Sequence, residues 1–196
     1  LISFSKLFSL FDYIFSLSQL ANLRGSKLKT KRHLSNKFKK ENPNAIFKIC
    51  DLSDINVQDE IFSVLRKWES NKKNDNKICD LEHEEIAIRR LLETASKHKL
   101  VLSCIYLYDV MLGFSIDEML PDNYAIAHFI KADNSFRGVY EFFNEKISQH
   151  LLSQGVLLWN WQQDLSIEGL RQLKTSYHPV GFLKKYTVSL NVLEDE

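Results

Sequence analysis

Three stretches of the 196-residue chain carry side chains whose type and spacing can do chemistry. The densest is basic: Arg24, Lys27, Lys29, Lys31, Arg32, Lys37, Lys39 and Lys40 follow one another with no acid between them. On a helix they wrap most of the circumference and leave Leu28, Leu34 and Phe38 as the edge for a core. Cations at this density suit phosphates, of RNA or of an anionic bilayer, with Lys27, Lys31, Arg32 and Lys37 as candidate contacts. A solvated lysine-rich face is the competing reading. The second stretch, His128-Phe129-Ile130-Lys131-Ala132-Asp133, ends a strand ahead of Gly138 and a helix. A lysine at a strand end that faces a cleft offers fixed positive charge to a phosphate or an acyl carbonyl; one that points to water offers nothing. The third runs from Asn160-Trp161-Gln162-Gln163-Asp164 through Gly169-Leu170-Arg171 to Lys174-Thr175-Ser176-Tyr177-His178-Pro179. Polar side chains leaving the end of a central strand line clefts in mixed sheets. Asp164 equally suits a helix cap, Arg171 and Lys174 a solvated helix face, and His178 before Pro179 a turn.

Composition removes other classes. Six Gly and three Pro exclude collagen-like and Gly/Pro-rich low-complexity chains, and 44% hydrophobic residues suit one globular core. With 26 Lys+Arg against 25 Asp+Glu the formal charge is +1, so attraction to nucleic acid or lipid rests on local clustering. Cys50, Cys79 and Cys104 are an odd number with no CxxC spacing, so neither a disulfide framework nor a metal site is expected, and a reducing, cytoplasmic compartment is. No P-loop, Gly-rich dinucleotide fingerprint or Ser-His-Asp order is present.

The elements that must position these residues follow from periodicity. Phe4, Leu7, Phe8, Phe11, Ile14 and Phe15 fall at spacings of three and four, which predicts an apolar helical face, while Lys6, Asp12 and five serines argue against a signal peptide or membrane span. Residues 1–25 then read as the remnant of a linker to a missing upstream domain, and 26–196 as one domain. Helices are predicted over Lys27–Glu41, from Asp54 through Trp68, and over Glu82–Lys97, with a strand at Ala45–Cys50 and a polar loop at Glu69–Lys77. The period then changes, giving strands at Leu100–Tyr108, Met111–Met119 and Tyr124–Lys131. A helix over Gly138–Ser153, a strand at Val156–Trp161, a helix over Ile167–Thr175 and a last strand at Phe182–Leu190 complete the order, the five strands from Leu100 onward expected in one sheet. This is an α+β arrangement, a mixed and mostly antiparallel sheet flanked by helices, in the element order of the GNAT-like acyltransferase fold.

The residues that carry a family resemblance lie along most of this order. They are Asp12-Tyr13-Ile14-Phe15 with Leu20, Leu23 and Gly25; Lys31-Arg32-His33 with Phe38; Trp68; Glu84 with Ala87-Ile88; the 128–133 run; Gly138 with Tyr140; and the 160–179 motif. Over residues 12 to about 188 the chain resembles the phosphatidylglycerol lysyltransferase C-terminal domain family, relatives of the Fem-type aminoacyltransferases. The resemblance implies a GNAT-like domain, usually second of two in tandem, that takes an aminoacyl group from aminoacyl-tRNA, with no other cofactor, and passes it to a hydroxyl or amine such as a phosphatidylglycerol headgroup. The implied partners are tRNA, an anionic membrane surface at the inner face of the membrane, and an upstream GNAT-like domain in cis or a second copy in trans.

On that basis Lys131 and Arg171 are expected to stabilise negative charge and Asp164 to orient the donor amino group. His128, Asn160, Gln162, Lys174, Tyr177 and His178 are expected to bind substrate. The family pattern has an acid where this chain has Ile130, and Arg-Glu where it has Trp161-Gln162. Loss of two carboxylates removes anions for a cationic side chain, so a small or neutral aminoacyl group is expected. The alternative is a domain that kept the fold and basic helix for RNA or membrane binding and lost catalysis. A plain acetyl-CoA enzyme would need more glycines than the 132–138 segment holds.

Overall fold

The apolar runs between Leu100 and Ala132 form the meander that their alternation dictates. The computed structural model describes residues 2–6, 11–73 and 81–190. In chain order the elements are β1 (Ile2–Lys6), β2 (Asp12–Ser16), α1 (Leu17–Leu20), α2 (Lys29–Glu41), β3 (Ala45–Cys50), α3 (Ile55–Lys73), α4 (Leu81–Glu93), β4 (Leu100–Leu107), β5 (Val110–Leu120), β6 (Tyr124–Ala132), α5 (Val139–Ser153), β7 (Leu158–Asn160), α6 (Glu168–Thr175), β8 (Gly181–Leu183) and β9 (Tyr186–Leu190). Among the described residues one sheet has seven strands in the order β3-β4-β5-β6-β7-β2-β8, and β1 pairs with β9 apart from it. Every pairing is antiparallel except β6 with β7. One core, with Phe15, Phe38, Phe143, Ile147 and Trp159, lies between the sheet and α1, α2 and α5. The other, with Ile61, Leu65, Ile88, Phe114 and Ile116, lies between the opposite face and α3 and α4.

Two irregularities in β6 create the site. Its parallel pairing with β7 covers only Tyr124–Ile126 against Leu158–Asn160, while β6 continues beside β5 to Ala132, so from Ala127 onward the strands part. In the same place the register shifts: Ile116 faces Phe129 but Asp117 faces Ala127, which leaves His128 as the extra residue of a β-bulge. Bulges re-aim a side chain and end regular pairing. The start of α5 is fixed by Gly138, whose φ is +87° and where a Cβ would collide with the Leu34 carbonyl of α2, so no other residue fits there.

Several expectations are corrected. The opening stretch is not a helix: β2 lies between β7 and β8 and its Tyr13 and Phe15 enter the first core, so apolar residues on a strand covered on both faces imitate helical spacing. Leu17, Leu20 and Leu23 join the same core, so residues 12–25 are woven into the domain. The side chains of Phe4, Leu7 and Phe8 lie outside the described residues, as does Cys79. The polar segment after Trp68 continues α3 to Lys73, held by Lys67 on Asp133 at 2.7 Å and by Asn71 on Asp133 and Asn134 at 3.1 and 2.9 Å; residues 74–77 lie outside the described residues. The last strand is two: Gly181–Leu183 pairs with β2 and Tyr186–Leu190 with β1, so it does not stay in one sheet. Among the described residues no helix is long and apolar enough to cross a membrane.

Candidate active site

The parting of β6 from β7 opens a cavity of about 260 Å³. Its lining comes from β6 (Ala127 to Lys131), from Glu84 on α4, Tyr140 and Asn144 on α5, the turn Trp161 to Gln163 after β7, and Leu170, Leu173 and Lys174 of α6. Lys131 is buried with its Nζ 2.7 Å from Glu84 Oε1 and 3.6 Å from the centre of the Trp68 ring. The other Glu84 oxygen, Oε2, is buried and accepts no hydrogen bond. Two more cavity residues share that state: Asn144 Oδ1 and Trp161 Nε1 are buried without a partner. His128 reaches the carboxylate of Glu118 through Nε2 at 2.8 Å, and His98 Nδ1 meets the other Glu118 oxygen at 2.9 Å. Tyr140 hydroxyl bonds both the N–H and the carbonyl of Ala132, and burial pushes its phenol up to about 12.

The structure brings His128, Lys131, Gln162 and Lys174 to the cavity, but it gives the last two a bracing role. Gln162 Nε2 donates to the Ala127 carbonyl at 2.7 Å, stitching the turn to β6 across the parting. Lys174 directs its three protons to the carbonyls of Trp161, Gln162 and Gln163 at 2.6, 3.3 and 2.6 Å. Burial pulls its ammonium down to about 8, against the opposing pull of Asp164 and Asp12.

Asp164 and Arg171, expected at the reacting centre, are absent from the lining. Asp164 is buried, with Tyr13 hydroxyl and Arg171 Nε on one oxygen at 2.7 and 2.9 Å and the Ser166 N–H on the other at 2.9 Å. The Arg171 hydrogen bond, with those of Tyr13 and Ser166, outweighs burial and holds its carboxyl at about 2. A carboxylate so fully used has no place for a donor amine, so its orienting role falls away, and Arg171 serves as its counter-ion. Asn160 is buried and bonds Asp12 at 2.9 Å, which also takes Lys185 at 2.6 Å. Tyr177 is buried with its hydroxyl 3.3 Å from Asn144 Nδ2 and Lys31 over its ring. His178 is exposed at φ +54° in the turn before Pro179.

The basic segment divides. Lys31 pairs with Glu141 at 3.3 Å, Arg32 donates to the Leu23 and Gly25 carbonyls, Lys37 lies 3.6 Å from Glu41, and Lys39 is 2.9 Å from Glu145, which also accepts from Ser35. Arg24, Lys27, Lys29 and Lys40 are exposed. Of the candidate phosphate contacts, then, Lys27 is in the open, while Lys31 and Arg32 tie α2 to its neighbours.

Sequence reasoning missed Glu84 as a site residue, although it stands among the residues that carry the family resemblance. It also missed the Glu118 link between His98 and His128, which no sequence motif announces.

An α+β domain whose sheet parts between two parallel strands over a cleft belongs to the GNAT-like class of folds. The comparisons are more specific. Residues 5–189 match the family described as phosphatidylglycerol lysyltransferase, C-terminal, and the chain belongs to that family. It is similar to a conserved protein of unknown function from Bacteroides thetaiotaomicron, with 26% identity and a TM-score of 0.83 over 97% of this chain and 62% of that one. The C-terminal domain of a putative lysylphosphatidylglycerol synthetase from Agrobacterium fabrum shares the fold at 17% identity and a TM-score of 0.65, over 95% of this chain and 61% of that one. L-PGS from Bacillus licheniformis does so at 17% identity and a TM-score of 0.67, over 95% and 60%. The chain thus spans about three fifths of the length of each. No match was found among curated proteins.

Proposed function

We propose that the chain is an aminoacyltransferase domain that moves an aminoacyl group from aminoacyl-tRNA to a hydroxyl or amine acceptor. The observation that supports this reading is the pairing of an acid with a buried lysine, Glu84 and Lys131 at 2.7 Å, in the wall of one cavity that Asn144, Trp161 and His128 also line. An α-aminoacyl ester has matching groups: its ammonium is drawn to the Glu84 carboxylate, and a small apolar side chain suits the lining of Phe129, Ile130, Leu170 and Leu173. Lys131, beside Glu84, adds positive potential for the oxyanion that forms when the ester is attacked.

The printed names of the Agrobacterium and Bacillus proteins make a phosphatidylglycerol headgroup the first acceptor to test. With a tRNA donor and a lipid acceptor the domain would work on the cytoplasmic side, peripheral to the membrane, beside an upstream GNAT-like domain or a second copy. Calorimetric titration with amino-acid amides tests the reading: wild type binds them, and Glu84→Gln weakens binding tenfold or more. A wild type that binds none of them would defeat it.

A second reading, binding of RNA or anionic membrane without catalysis, draws support from the exposed Arg24, Lys27, Lys29 and Lys40.

A further inference from the structure

The bulge in β6 places His128 on the cavity wall and, at the same time, against Glu118 of β5. Burial pushes the Glu118 carboxyl up, but the hydrogen bonds from His128 and His98 outweigh it, and the group ends below its ordinary value. A carboxylate only accepts, so the hydrogen of a neutral His128 ring sits on Nε2 and the lone pair falls on Nδ1. Among the described residues nothing bonds Nδ1.

The other titratable groups in the lining are committed elsewhere. Lys131 and Glu84 form an ion pair, Lys174 is taken up by three carbonyls, and Tyr140 holds the backbone of Ala132 with its phenol pushed up. Among the described lining residues, His128 is the titratable group left with a free basic nitrogen and an anion behind it.

We propose that His128 is the general base of the transfer and that Glu118, backed by His98, is its positioning residue; this rests on the reading of the cavity as an aminoacyl-ester site. As the acceptor oxygen or nitrogen attacks the ester carbonyl, its proton passes to His128 Nδ1. The tetrahedral intermediate then collapses: the new C–O or C–N bond stays, the bond to the carrier oxygen breaks, and His128 returns the proton to that oxygen. No oxidation or reduction takes part.

The test uses the whole chain, L-alanine p-nitrophenyl ester as donor, glycerol as acceptor, and alaninamide as a binding probe. His128→Gln, which can still bond Glu118, is expected to bind alaninamide as wild type does, lose about 100-fold or more in alanyl-glycerol formation, and lose the rise of rate with pH that a neutral imidazole base produces. Glu118→Ala is expected to lose less rate and to abolish the tautomer preference of His128. Nitrogen-detected NMR of histidine-labelled wild type, which needs no variant, should show His128 as the Nε2–H tautomer. Unchanged turnover in His128→Gln, or an Nδ1–H tautomer in wild type, overturns the base and leaves the aminoacyl site standing. A wild type that neither binds alaninamide nor consumes the ester overturns both.

Discussion

The Lys174 ammonium lies 2.6 Å from the Trp161 carbonyl and equally close to that of Gln163, so a helix side chain holds the turn that forms one wall of the cavity. Gln162, Leu165 and Ser166 in and after that turn have positive φ, which costs about 1–3 kcal/mol per residue and persists only where the surroundings impose it. Lys174→Met strands three carbonyls and is expected to cost about 2–4 kcal/mol of stability. Denaturant melts measure that loss, and hydrogen exchange should localise it to residues 161–166. An unmoved midpoint would show that water replaces the ammonium without penalty.

Asp117 makes stability depend on pH in the direction opposite to an ion-paired acid. It is fully buried, accepts among the described residues only from Trp159 Nε1 at 2.8 Å and Ser115 Oγ at 2.6 Å, and burial pushes it up to about 7 against those two bonds. The folded state therefore binds this proton more tightly than the unfolded chain does. Its contribution is complete below about pH 4, the unfolded value, and is lost as pH rises through about 7. Asp117→Asn should melt close to wild type at pH 4 and above it at pH 8, by about 2–4 kcal/mol. Parallel melting curves across that range would refute the assignment.

Glu84 is the acid at the cavity, and it already neutralises Lys131, while Phe129, Ile130, Leu170 and Leu173 supply apolar lining. A second ammonium, on the side chain of a donor, finds no free anion among the described lining residues and would be buried at a cost of several kcal/mol. Alaninamide should bind more tightly than lysinamide, and Ile130→Glu should narrow or invert the ratio. The same change at Gln162 would instead set a carboxylate against the Ala127 carbonyl and loosen the stitched turn. A wild-type preference for lysinamide would contradict the argument.

Exposed and engaged cations of the basic segment should separate on mutation. Replacing Lys27, Lys29 and Lys40 by Gln should flatten the salt dependence of any binding to RNA or to phosphatidylglycerol vesicles, by roughly one unit of log–log slope for each phosphate that is no longer neutralised. Lys31→Gln should act on stability instead, because it releases Glu141 and uncovers the Tyr177 ring. Equal salt slopes in the triple variant and wild type would leave those lysines as solvated surface.

The meander was readable because three apolar runs with turn residues between them admit one arrangement, and β4, β5 and β6 fall within a residue or two of the expected spans. β2 was misread because Tyr13, Ile14 and Phe15 are apolar on successive positions, a pattern that a strand buried on both faces shares with a helix. The cleft between the ends near Lys131 and Trp161 could be placed from strand order; the roles inside it could not. Asp164 and Arg171 look like cleft residues in sequence, yet they neutralise each other, while Glu84 sits among glutamates of a helix and only tertiary packing selects it. Glu118 and His128 meet because neighbouring strands align them, and His98, two residues before β4, reaches the same carboxylate, across separations of 10 and 20 residues.

The position of β2 also fixes when the cleft can exist. Its partners, Leu158–Asn160 and Gly181–Leu183, lie near the other end of the chain, so closing the sheet requires one of the longest loops the molecule makes. The β4–β6 meander has short-range contacts and can assemble while the ribosome is still at work, whereas the wall carrying Trp161 must wait for β7 to meet β2. Formation of the pocket is thus a late step of folding, and a nascent chain arrested before Leu158 has its meander but no binding site.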